Sequence, residues 1–144
     1  MWLCLGIPGI TAHRAVHVAG SVSGRTVLVQ GAAGSVGLCA VQLARQAGAH
    51  VIGTIRTQAE EQTARKSGAH EVFLNDTELP VHIRALVPEG IDHIVEVAFG
   101  ANIERDLELL KMGGSINLCH EYRNSDDSFL ANGVQEYPAL FCSP

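Results

Sequence analysis

The stretch TVLVQGAAGSVGLCAVQLARQAGAHVIGT, residues 26–54, joins three elements with almost no chain to spare. Residues 26–30 are an apolar, β-branched run held between Gly24 and Gly31, the pattern of a short strand buried on both faces. Beyond a cluster of small residues, Val36, Ala40, Leu43 and Ala47 recur at the i, i+4, i+7, i+11 spacing of one helix face, and Gly48 supplies a stop. AHVIGTI then reads as a second strand. Two strands joined by a helical crossover run parallel, and the crossover is right-handed. This one segment therefore confines the chain to the α/β class, with helices packed on a parallel sheet.

The alternation continues downstream. Thr57 and Glu60 have the Ser/Thr-x-x-Glu spacing of a capping box at the start of a helix that Gly68 closes. HEVFL reads as a third strand, ELPVHIRALV as a helix with Pro80 in its first turn and Pro88 past its end, and IDHIVEVA as a fourth strand. NIERDLELLKMGG places Ile103, Leu107 and Leu110 on one helical face and stops at the paired glycines, so that the fifth strand is SINLC. Five strands alternating with four helices, wound outward from an early central strand, predict the order 3-2-1-4-5 in a Rossmann-type, doubly wound, three-layer sandwich. Residues 1–24 read as a lead-in helix region and residues 119–144 as an irregular tail, within a single domain spanning 1–144.

Composition limits the partners of such a domain. With 47% hydrophobic and 17% charged residues the chain has the content of a globular core. A net charge of −5 and ten scattered Lys and Arg leave no basic surface for nucleic acid. The apolar stretches fall well short of the roughly 20 residues a membrane helix needs, and the N-terminus lacks the basic leader of a signal peptide, so the expected location is cytoplasmic. Cys4, Cys39, Cys119 and Cys142 are too far apart in sequence to form a zinc knuckle or a redox pair.

The small residues between the first strand and helix carry the chemistry. In GAAGSVG, Ala32, Gly34 and Gly37 occupy the three positions of the dinucleotide fingerprint. Gly34 lets the backbone approach a pyrophosphate, Gly37 lets the helix pack close to the strand, and the amides of Ser35 and Val36 aim the positive end of the helix at the phosphates. An acid at the end of the second strand would accept from the ribose 2′-hydroxyl of NAD, but GTIRT has none. Thr54, Arg56 and Thr57 offer hydroxyls and a guanidinium instead, a set that suits a 2′-phosphate, and the expected cofactor is NADP(H).

Four segments, LGIPGITAHRAV, VLVQGAAGSVGLCAVQLARQAGAHVIGT, GAHEVF and GIDHIVEVAFG, resemble the zinc-independent quinone oxidoreductase, or zeta-crystallin-like, branch of the medium-chain dehydrogenase/reductases. The resemblance implies reduction of quinones or other α,β-unsaturated carbonyls by hydride from NADPH, without a catalytic zinc. It places Thr11 near the nicotinamide, residues 34–37 at the pyrophosphate, residues 54–57 at the 2′-phosphate and Asn75 after strand three. Ala98 and Phe99 fall in the loop after strand four, and Leu118, Cys119 and His120 in the loop after strand five. Glu60 stands where the family usually carries a basic residue. The family sets a β-rich substrate domain ahead of the cofactor domain and this chain begins just before the latter, so the expectations are an absent substrate domain, little or no turnover by the chain alone, and self-association as a homo-oligomer. Two other readings share these residues: an enoyl reductase module of a polyketide or fatty-acid synthase, and a non-catalytic NADP(H)-binding module.

No residue stands out as a catalytic acid or base. His13 and His17 in HRAVH share a helix face, but Arg14 stands where a zinc protease has Glu. Neither Tyr122 nor Tyr137 has a Lys four residues later, and Asp92 and Glu96, on one strand face, lack a neighbouring nucleophile and read as flanking and capping groups.

Overall fold

The computed structural model describes residues 7–97 and 99–118, with only the backbone described for Ile7 and residues 99–101. Its elements alternate as expected: α1 (Ile7–His17), β1 (Thr26–Val29), α2 (Ser35–Gln46), β2 (His50–Ile55), α3 (Glu61–Ser67), β3 (Glu71–Leu74), α4 (Leu79–Leu86), β4 (Ile91–Glu96), α5 (Phe99–Leu109) and β5 (Leu110–Leu118). The strands form one parallel sheet in the order β3-β2-β1-β4-β5. No helix among the described residues is long and apolar enough to cross a membrane.

Strand periodicity sorts the core into two layers. Val27 and Val29 of β1 and Val51 of β2 face α1, α2 and α3, packing on Ala12, Ala15, Ala40, Ala44 and Ala64. Leu28 and Ile52, one residue out of phase, face α4 and α5, with Ile94 of β4 and with Leu79, Ile83 and Leu109 of the helices. At the far end of α2, Gly48 has φ +88° and its amide bonds Arg45 O, while Ala49 N reaches back to Ala44 O. This closes the helix where the sequence placed its stop.

Two local expectations need correction. The paired glycines do not end the fifth helix: α5 stops at Leu109, and Gly113 and Gly114 lie inside β5. There the register jumps, Ile91 facing Leu110 while His93 faces Ser115, so β5 carries extra residues in a bulge. Gly113 sits at φ +80°, and a Cβ on Gly114 would come within 3.0 Å of Leu110, Lys111 and Ile91 atoms, so the glycines serve the bulge. The capping box does not close either. Thr57 makes no side-chain bond to the short 3-10 turn Gln58–Glu60 that precedes α3, and Glu60 Oε2 accepts from Arg56 N, at 2.9 Å, instead of from Thr57 N.

Candidate dinucleotide site

Gly31 turns the chain out of β1 at φ +67°, a conformation that a side chain would resist. Its amide donates to Thr54 Oγ1 at 3.2 Å, and Ala32 N donates to Thr54 O at 2.8 Å, so the end of β2 holds the start of the loop. Gly34 N then bonds Gly31 O at 3.0 Å to tighten the turn. A Cβ on Gly37 would lie 2.0 Å from Gly31 O, which is why α2 can start directly against the strand only with glycine there. Gly53 does the same service from below, since a Cβ on it would come 2.7 Å from the Ala32 methyl.

The result is an exposed helix start. Gly34 is the extended N-cap of α2 and carries no side chain to occupy the first-turn amides, while Ser35 is exposed and Val36 half-buried. Those amides have no acceptor within the helix, and the dipole adds positive potential, so the loop fits a phosphate anion in both shape and charge.

Of the residues expected at the ribose end, Arg56 is exposed and its guanidinium forms no ion pair among the described residues. Thr57 is exposed as well. Thr54 lies elsewhere: it is 1% exposed, its hydroxyl donating to Gln30 Oε1 while accepting from Gly31 N, so it braces the loop from beneath. Asn75 follows β3 and is held by α5, accepting from Arg105 Nη1 at 2.6 Å and donating to Asn102 Oδ1 at 3.1 Å. Thr11 is half-buried on α1, and Leu118 ends β5 partly packed against the α4 and α5 core. Ala98, the Phe99 side chain, Cys119 and His120 lie outside the described residues. Asp92 serves as a cap, accepting from Thr26 N at 2.9 Å, with Lys111 Nζ at 3.7 Å. Among the described residues no three His, Cys, Asp or Glu side chains gather as a metal cluster.

Beneath the loop is a buried polar cluster that the motifs did not identify. Continued by two residues, the row Leu28, Ile52 and Ile94 ends in Gln30, Thr54 and Glu96, each 1% exposed. Asp106 of α5, fully buried, accepts from Gln30 Nε2 at 2.7 Å and neighbours Glu96, whose Oε1 accepts from Asn102 Nδ2 at 3.2 Å. Loss of water, and then the hydrogen bond and charge of Glu96, push the Asp106 carboxyl up to about 9, against the opposing pull of Gln30 and Arg105. The pair therefore carries a proton at neutral pH. One signal for the cluster was present in the sequence: two residues beyond Leu28, Ile52 and Ile94, on the same strand face, stand the polar Gln30, Thr54 and Glu96, and Asp106 falls beside the apolar Ile103 and Leu107 of the helix.

Comparison with known proteins gives one consistent picture. Residues 35–121 match the family model of the zinc-binding dehydrogenases. The quinone oxidoreductase of Pongo abelii is 44% identical over 116 residues, covering 78% of this chain and 35% of that protein, so the chain spans about a third of the length of the curated relatives it matches. Among solved structures, a 2-haloacrylate reductase superposes with a TM-score of 0.78 at 28% identity, over 97% of this chain and 45% of that one. A mycobacterial protein complexed with NADPH superposes at 0.75 with 25% identity, over 89% and 42%.

Proposed function

Because the chain belongs to the zinc-binding dehydrogenase family, in the quinone oxidoreductase, zeta-crystallin-like branch of the medium-chain dehydrogenase/reductases, we propose that it is the NADP(H)-binding domain of a reductase that delivers hydride to quinones or other α,β-unsaturated carbonyls without zinc. The observation that carries this reading is the bare start of α2 above the loop 31–37, built so closely that only glycine fits at 37. The nicotinamide supplies the hydride when bound, so the protein's part is to bind and orient. The amides of Ser35 and Val36 hold the pyrophosphate, and Arg56, exposed and without an ion pair among the described residues, takes the 2′-phosphate. On family resemblance Thr11 is proposed near the nicotinamide, and Ala98, Phe99, Leu118, Cys119 and His120 are proposed as cofactor-binding residues in the loops after strands four and five.

Calorimetric titration of the chain tests the reading. NADPH is expected to saturate one site and to bind more tightly than NADH, and Arg56→Ala should narrow that gap by about 1–3 kcal/mol, the worth of a charge-assisted bond. Absence of binding by either nucleotide would overturn the site, and equal affinities for the two would overturn the choice of NADP(H).

A further inference from the structure

Three strands of the sheet end their α5-facing rows in polar side chains, and the hydrogen bonds between them are donated in one direction, from the loop toward α5. Gly31 N donates to Thr54 Oγ1, and the Thr54 hydroxyl donates in turn to Gln30 Oε1. Gln30 spends its amide nitrogen on Asp106 Oδ1, 2.7 Å away. Asp106 is buried beside the Glu96 carboxyl, and two carboxyl groups in such a place can bond to one another only when one of them holds a proton. Asp106 Oδ2 is buried without a hydrogen-bond partner among the described residues, and a proton held between it and the Glu96 carboxyl is what would satisfy it. Apolar side chains would close this end of the sheet without any such matching. The polar chain instead connects a protonation site on α5 to the first amide of the loop at the start of α2.

We propose that Asp106 is a positioning residue for this loop: the proton it shares with Glu96 holds Gln30, Thr54 and Gly31 in register, and loss of that proton releases the loop and weakens dinucleotide binding. The proposal rests on the dinucleotide reading of the site. When the proton leaves, two carboxylates face one another in a buried space and must separate. Asp106 then draws away from Glu96 and carries the Gln30 amide with it, and Thr54 loses the acceptor that orients its hydroxyl toward Gly31. The charged groups acting on Asp106 are Glu96 from β4 and Arg105 from α5 itself, while β1 contributes the neutral Gln30. The burial that pushes Asp106 toward about 9 places the release on the alkaline side of neutrality.

Two measurements on the intact chain test this. With no ligand, the Gly31 amide resonance followed by NMR should titrate with a midpoint near 9 in the parent and stay flat in Asp106→Asn, which keeps a hydrogen-bonding group without the titrating proton. The NADPH dissociation constant should weaken about fivefold or more between about pH 7 and about pH 10 in the parent and hold constant in Asp106→Asn. Glu96→Gln provides a second variant if the first fails to fold. Removing the neighbouring charge should move the Gly31 transition to lower pH. A Gly31 resonance that does not titrate in the parent, or that titrates identically in the parent and the variants, overturns the proposal. If NADPH does not bind at all, the function reading falls, while the ligand-free titration still decides the coupling.

Discussion

His93 has one way to satisfy both ring nitrogens. Nε2 lies 2.6 Å from Ala15 O, which can only accept, so Nε2 carries the hydrogen and Nδ1 accepts from the Ser115 hydroxyl at 2.7 Å. The neutral ring thus ties β4 to both α1 and β5. Burial first, and the Arg25 charge after it, push the imidazole below its ordinary range, against the pull of its two bonds. Between the depressed folded value and the ordinary value of about 6.5, the unfolded chain binds a proton that the folded chain refuses. His93 therefore contributes its stability above about pH 6.5 and loses it as pH falls through the folded value; His70, also lowered by burial, adds in the same direction. Urea denaturation at about pH 7.5 and about pH 5.5 should show the loss, and His93→Gln should reduce the difference between the two; an undiminished difference would assign it to other groups. Glu60 makes a second prediction at this scale. The acid missing from residues 54–57 returns in space, because Glu60 folds back onto the Arg56 amide and sets a negative charge beside the proposed phosphate site. Glu60→Gln should tighten NADPH by about two- to fivefold, the size of a solvent-screened charge, and leave NADH unchanged.

At the level of elements, two glycines of one loop should fail in different ways. A methyl at Gly37 meets Gly31 O at 2.0 Å, a backbone atom that cannot swing aside, so Gly37→Ala should cost about 3 kcal/mol of stability and also abolish binding. Gly34 has an extended backbone at φ −77° and 3.4 Å of room to the same oxygen, so Gly34→Ala should fold normally and lose affinity alone, by crowding the phosphate approach. Melting curves beside calorimetry would separate the two; equal loss of stability would show that the loop is not packed as tightly as Gly37 implies. The same contrast explains what the sequence made legible. Strands β1 to β4, helix α2 and the sheet order follow from periodicity and from glycines at stops, because those signals are local. The start of β5 was not legible: Gly113 and Gly114 look like a helix stop, and only pairing with β4 reveals a bulge. Nor were the uses of Thr54 and Asp106, since a hydroxyl at a strand end reads alike whether it meets solvent or Gln30, and Gln30 and Asp106 are brought together only by the crossover of α5.

Across the whole molecule the sheet divides two unlike cores. The side under α1, α2 and α3 is built of Ala and Val, whereas the side under α4 and α5 is built of Leu and Ile. Short side chains let a helix axis sit close to the sheet, and α2 must sit close because its first turn rests on Gly31 through the missing Cβ of Gly37. The two layers should therefore respond differently to a change in volume. Ala40→Leu, on the buried face of α2 one turn from Gly37, overfills the small-residue layer, costs about 1–3 kcal/mol and lifts the start of α2 away from the loop. Ile83→Ala, on α4, opens a cavity in the other layer and costs about 2–5 kcal/mol, but it lies on an element that takes no part in the loop or the polar chain beneath it. Binding measured well below the unfolding transition should then fall in Ala40→Leu and remain at the parent value in Ile83→Ala, although Ile83→Ala loses as much stability or more. If affinity instead follows stability in both variants, the closeness of α2 to the sheet is a matter of packing alone and does not set the phosphate loop.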